Sequence, residues 1–139
     1  MSAPTWVLDT NVVVSGLLCA HGHPAGLLDA LLDDRLRLAF DDRIEAEYRE
    51  VLARPRLAIP AERREAFLML LTIQQAVSAR PWRGLPLPDP DDQPFLEVAV
   101  ETVDRTLVTG NLRHFPVSAR GLVTVLCPRE AWERLNRTG

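Results

Sequence analysis

Asp9-Thr10-Asn11 follows directly on the apolar run Trp6-Val7-Leu8, so a carboxylate, a hydroxyl and an amide are presented together at the end of an expected first strand. In open parallel sheets the crevice beyond the carboxyl ends of the strands is the usual ligand site. Two further acids sit against apolar stripes of expected helices. Glu47 lies three residues after Ile44 and four before Val51, flanking a stripe of Ile44, Tyr48, Val51 and Leu52; at about 100° per residue it turns toward that stripe. Asp92 projects at i+3, i+4 and i+7 onto Phe95, Leu96 and Ala99, with Val103 continuing the stripe. Each acid has a purely structural alternative. Asp9 and Asp92 can serve as helix N-caps, and Glu47 can be a buried partner of an arginine or lie at the stripe's edge. Converging on one end of a sheet, the three would repel, and the cluster would persist only with protons or a divalent cation to neutralise it. Oxygen ligands without His or Cys select magnesium or manganese. An ion of that kind with water left on it is suited to phosphodiester hydrolysis, since it stabilises charge on the phosphate and activates water for in-line attack.

The elements that must position these groups alternate along the chain. Thr5–Leu8 reads as a buried strand and Val12–Leu18 as a short apolar helix. Pro24, favourable in a first turn, opens a helix through Leu32. Leu36–Phe40 is a second strand, and Asp41-Asp42 cap a helix from Arg43 to Ala53. Pro60 starts an amphipathic helix through about Val77. On it, Phe67, Leu68, Leu70, Leu71 and Ile73 form a face for the core or for an interface between copies. Pro81 to Pro90, with four prolines and a glycine, must be loop. A helix from Pro94 to Val103, strands Thr106–Thr109 and Val123–Leu126, and a helix Glu130–Arg137 complete the pattern. Strands spaced by helices of this length imply βαβ units, a parallel sheet and helices on both of its faces.

The 139 residues make one domain, 1–139, large enough for a proper core. No stretch has the length and apolarity of a signal sequence or membrane span, so the expectation is a soluble cytoplasmic protein. Cys19 and Cys127 stand alone and are expected to be buried, inert thiols. His21-x-His23 lacks further ligands for zinc. The net charge of −3 excludes a polycation drawn to nucleic acid by its overall field. All 16 basic residues are Arg, which excludes lysine-dependent chemistry: P-loop phosphate binding, a pyridoxal Schiff base and the lysine-assisted aspartyl-phosphate route of haloacid-dehalogenase-type phosphatases.

Val7-Leu8-Asp9-Thr10-Asn11-Val12, Glu47-Tyr48-Arg49-Glu50-Val51-Leu52 running into Ala53-Arg54-Pro55, Asp89-Pro90-Asp91-Asp92 with Phe95-Leu96-Glu97, and Leu107-Val108-Thr109-Gly110 resemble the successive motifs of PIN-domain proteins. The resemblance covers about residues 5–116. It is strongest to the PIN group described as toxin components of bacterial toxin–antitoxin systems, related to the VapC-type ribonucleases. It implies an α/β fold, a three-layer α/β/α sandwich around a central parallel sheet of about five strands. It implies a magnesium- or manganese-dependent endoribonuclease whose catalytic and metal-holding acids are Asp9, Glu47 and Asp92, with Asn11 and Thr109 orienting the first acid and supporting the site. It also implies an RNA substrate, a small cognate antitoxin and a homodimer.

One departure is plain. Asn111 stands where the family usually has another Asp after the Thr-Gly pair, and Arg113 where a further acid often follows. The amide keeps an oxygen ligand but removes a negative charge, which disfavours a second metal. One magnesium needs only one or two protein carboxylates. The expectation is therefore weaker, more single-metal activity, and the alternative is a catalytically weakened nucleic-acid-binding or regulatory module. Phosphate contacts would come from Arg49, Arg54 and Arg113, with Arg56 nearby, because the guanidinium fork suits phosphate.

Overall fold

The computed structural model describes residues 3–74, 76–82 and 84–138. Its centre is a four-stranded, wholly parallel sheet in the order β2-β1-β3-β4, formed by β1 (Thr5–Leu8), β2 (Arg37–Leu38), β3 (Thr106–Val108) and β4 (Thr124–Leu126). Trp6, Val7 and Leu8 are buried, as is every residue of β3. Strands covered on both faces read as continuous apolar runs for this reason. The helices flanking the sheet are α1 (Thr10–Leu18), α2 (His23–Leu32), α3 (Asp42–Leu52), α4 (Ala61–Ile73), α5 (Gln93–Glu101) and α6 (Pro128–Thr138). The α5 helix packs on β1 and β3, and α6 on β4 and α2.

The strand order decides where chemistry can sit. From β1 the chain crosses to β2 on one side and later returns to β3 on the other, so the order reverses between β1 and β3. A crevice opens at such a reversal, outside the carboxyl ends of the two strands. Asp9 immediately follows β1, and Thr109 immediately follows β3.

Several expected boundaries shift. The sheet has four strands rather than about five, and the second strand is shorter than Leu36–Phe40. Along its outer edge Leu38 N donates to the side chain of Gln74 (3.0 Å), and Phe40 O accepts from Val77 N (2.8 Å). Passing chain thus covers the edge without adding a strand, which is one way to blunt it. The same contact ends α4 at Ile73 instead of near Val77, since Gln74 leaves helical geometry at ψ 147° to reach β2. On α4, Phe67, Leu70 and Leu71 go to the core while Ile73 is exposed. The cysteines are not both buried: Cys19, at the exit of α1, is exposed, and Cys127 is half-buried.

Helices α1 and α2 pack unusually close at Gly16. A Cβ there would stand 2.6 Å from Leu28 Cδ1 and 2.9 Å from the Pro24 carbonyl. Gly16→Ala is expected to lower stability by about 2 kcal/mol, the strain of overpacking exceeding the gain in helix propensity. The check is a fall in the urea midpoint with an unchanged slope; an unmoved midpoint would mean that the two helices have room to spare.

A second cluster joins distant segments. Arg43 contacts Asp41 Oδ2 at 2.7 Å and Glu97 Oε1 at 2.6 Å, and the other Glu97 oxygen accepts from Trp82 N at 2.5 Å. Asp41 also caps α3, as expected, accepting from Ile44 N at 3.0 Å.

Candidate active site

Asp9 stands at the N-cap position of α1, yet its side chain makes no capping bond. Its Oδ2 instead accepts from Thr109 Oγ1 at 2.8 Å and, more weakly, from Asn11 Nδ2 at 3.4 Å. The backbone closes the same junction, with Asp9 N donating to Val108 O at 2.8 Å. Asn11 links the two strand ends a second time, because its Oδ1 accepts from Gly110 N at 2.9 Å. A Cβ on residue 110 would lie 3.2 Å from that oxygen, so glycine lets the loop approach. Asn111 N in turn donates to Thr109 Oγ1 at 3.1 Å. The Thr109 hydroxyl is thereby aligned as it donates to Asp9.

Glu47 is half-buried on α3 and, among the described residues, pairs with no arginine. It accepts from the Thr10 hydroxyl, next to Asp9. Its neighbour Tyr48 is fully buried and donates to the carbonyl of Leu8, which fixes α3 against the end of β1. Burial, with the Asp9 and Glu47 charges adding to it, holds the Tyr48 phenol well above its ordinary range.

Asp92 occupies the N-cap position of α5, again without a side-chain cap bond. Its Oδ2 is buried and has no hydrogen-bond partner. The nearest charged group is His114, whose Nδ1 lies 3.0 Å away. The approach is not a well-aligned hydrogen bond, yet it draws the Asp92 carboxyl down, and it becomes an ion pair when the imidazole is protonated. Capping thus accounts for neither aspartate and an arginine pair does not account for Glu47, whose half-buried place does fit the edge of its stripe.

Electrostatics ties them together. Burial pushes the Asp9 carboxyl up from 3.8 to about 6; the Thr109 hydrogen bond opposes this, while the charges of Asp92 and Glu47 add to it. Burial also raises the Asp92 carboxyl, against the pull of His114 and with Asp89 and Glu47 adding to the rise. The acids feel one another's charge without their oxygens meeting at one point. Among the described residues no three His, Cys, Asp or Glu side chains form a ready-made metal cage. A magnesium-type site does not need one, since it keeps several waters and takes one or two carboxylates. The donors of the three acids fit such an ion: all are oxygens, and one, Asp92 Oδ2, is buried without a well-aligned donor.

The arginines lie elsewhere. Arg49 pairs with Glu45 at 2.9 Å and Arg54 with Glu50 at 3.2 Å, both as i,i+4 pairs on the solvated face of α3, and Arg113 is exposed just past Asn111. His114 escaped the reading of the sequence, because a single imidazole in a Pro-flanked turn carries no periodicity or spacing signal. Glu97 was seen only as part of an apolar motif. An apolar groove of 440 Å³ lined by Leu17, Leu28, Leu32, Phe67 and Leu70 lies away from the acids.

No curated protein and no solved structure matches the chain. Among the described residues no helix is long and apolar enough to cross a membrane. A family model described as PIN domain matches residues 5–113. That span holds every group just described except His114, and the chain belongs to the PIN-domain family, whose members are typically metal-dependent nucleases.

Proposed function

We propose that this protein is an endoribonuclease dependent on magnesium or manganese, acting as the toxin of a type II toxin–antitoxin pair. The observation that carries the chemistry is the buried oxygen of Asp92, which has no well-aligned donor and lies in the field of Asp9 and Glu47. An oxygen left so costs free energy unless a cation or proton meets it. Asp9 and Asp92, with Glu47 beside them, would hold the ion. When bound, it neutralises charge on the scissile phosphate and acidifies the attacking water.

The chain's own residues prepare for this. Thr109 and Asn11 both donate to one oxygen of Asp9, so that carboxylate has a fixed orientation. Thr10 restrains Glu47, and Tyr48 locks the helix carrying it to the strand carrying Asp9. Preorganised donors of this kind spare the site reorganisation during reaction. Arg113 is the cation best placed for a phosphate, two residues past Asn111 and in no ion pair among the described residues, whereas Arg49 and Arg54 would first have to leave theirs. RNA as substrate, the antitoxin and the homodimer rest on the family likeness, and a cytoplasmic location on the sequence pattern. The apolar groove, together with Met69 and Ile73, exposed on α4, supplies surface for a protein partner.

Purified protein is expected to cut single-stranded RNA with Mn2+ or Mg2+, to stop in chelator, and to lose the activity in Asp92→Ala. Equal cleavage by that variant, with contaminating nuclease excluded, would sink the proposal. The reading as a weakened binding module, favoured by Asn111, requires RNA binding without turnover in the same assay.

A further inference from the structure

We propose that His114 is a nitrogen ligand of the divalent ion at this site, standing in for the carboxylate that Asn111 lacks; the inference rests on the metal-dependent reading above. His114 ends a 3-10 turn, Leu112–His114. The next residue, Phe115, is fully buried, and its carbonyl accepts from Arg120 Nε at 2.7 Å. The imidazole is therefore carried by an anchored backbone, not by a free loop. Its Nδ1 comes within 3.0 Å of Asp92 Oδ2, without good hydrogen-bond geometry, and its pull opposes the rise of that carboxyl.

At that distance the space between the two atoms takes either a proton on the imidazole or a cation that has both atoms as ligands. With metal–ligand distances of about 2.1 Å, neighbouring corners of an octahedron are about 3.0 Å apart, so Nδ1 and Oδ2 already have the spacing of adjacent ligands. At the position after Gly110, where an acid would bring a charged oxygen, this chain has a neutral amide. A neutral imidazole three residues further on restores a donor without restoring the charge. The consequence is selectivity. Imidazole nitrogen favours later first-row ions, and carboxylate and water favour magnesium. A site that mixes them should prefer Mn2+ to Mg2+ more strongly than an all-acid site does.

The test uses the full chain loaded with Mn2+. Pulsed electron paramagnetic resonance is expected to show nitrogen coupling to bound Mn2+ in the wild type and none in His114→Ala, which excludes His21 and His23 as its source. Titration should show Mn2+ affinity falling about tenfold in His114→Ala, with Mg2+ affinity falling about threefold or less and thermal melting unchanged. Mn2+ bound to the wild type without nitrogen coupling, or coupling that persists in His114→Ala, would overturn the assignment while leaving the nuclease reading intact. Failure of the wild type to bind Mn2+ at millimolar concentration would overturn both.

Discussion

Asp9→Asn is expected to abolish RNA cleavage, by on the order of a thousandfold or more, and at the same time to make the metal-free protein more stable at neutral pH. Both effects come from one carboxylate. The amide oxygen can still accept from Thr109 and Asn11, so the local structure survives, but the charge that would hold the cation is gone. The stability change follows from the folded carboxyl sitting at about 6 against an ordinary 3.8. Below about pH 4 the group is protonated in folded and unfolded chains alike. Between 4 and 6 the unfolded chain has already released its proton while the folded one keeps it, so stability falls as pH rises. Above 6 the whole penalty is present, roughly 3 kcal/mol at 1.36 kcal/mol per unit. Urea unfolding in chelator, run from pH 4 to 8, should show this decline in the wild type and a shallower one in Asp9→Asn. Asp92, raised in the same direction, accounts for the slope that remains. Added Mn2+ should stabilise the wild type and leave the variant nearly unmoved, because only a folded state that binds the ion gains from it. An unchanged pH slope in the variant would show that the Asp9 carboxylate is not under strain.

Arg43→Met is expected to be strongly destabilising although it lies away from the acidic site, by about 3 kcal/mol at pH 7. Asp41 and Glu97 are each only 7% exposed, and Arg43 meets both. Partial burial pulls the guanidinium's proton affinity down, but hydrogen bonds to the two carboxylates outweigh it, so its charge is secure. Removing it leaves two buried anions without a cation, which is the expensive way to break an ion pair. The guanidinium is itself half-exposed, so water re-enters, and the effect lies at the low end of the range for buried pairs. Arg43→Met combined with Glu97→Gln should recover more than half of the loss, since one unpaired charge is removed with its partner. Denaturant unfolding of the three proteins decides the matter. A single variant as stable as the wild type would reduce the cluster to an ordinary surface pair worth about 0–1 kcal/mol.

The same cluster bears on the site. Glu97 belongs to α5, the helix that Asp92 begins, and Arg43 to α3, which carries Glu47. The Arg43–Glu97 pair thus fixes the relative placement of two of the acids from outside the pocket. Nothing in local periodicity announces this, because Glu97 lies in the apolar stretch Phe95–Ala99 and its partner is 54 residues away.

The chain's own pattern was enough to locate the elements. Apolar runs of three or four residues marked the strands, 3.6-residue stripes marked α3 and α5, and prolines marked the loop before Asp92, because these signals depend on neighbours within a turn or two. It was also enough to pick out Asp9, Glu47 and Asp92 as acids out of keeping with their surroundings. It ran too long on α4 and on β2, where the end of each element is set by Gln74 reaching across to Leu38. Only the tertiary structure decided that Asp9 and Asp92 leave their caps unmade, that Thr109 donates to Asp9 across 100 residues of sequence, and that His114 stands beside Asp92. Which oxygen meets which hydrogen is a property of packing between segments brought together by the order β2-β1-β3-β4. No window of neighbouring residues contains that order.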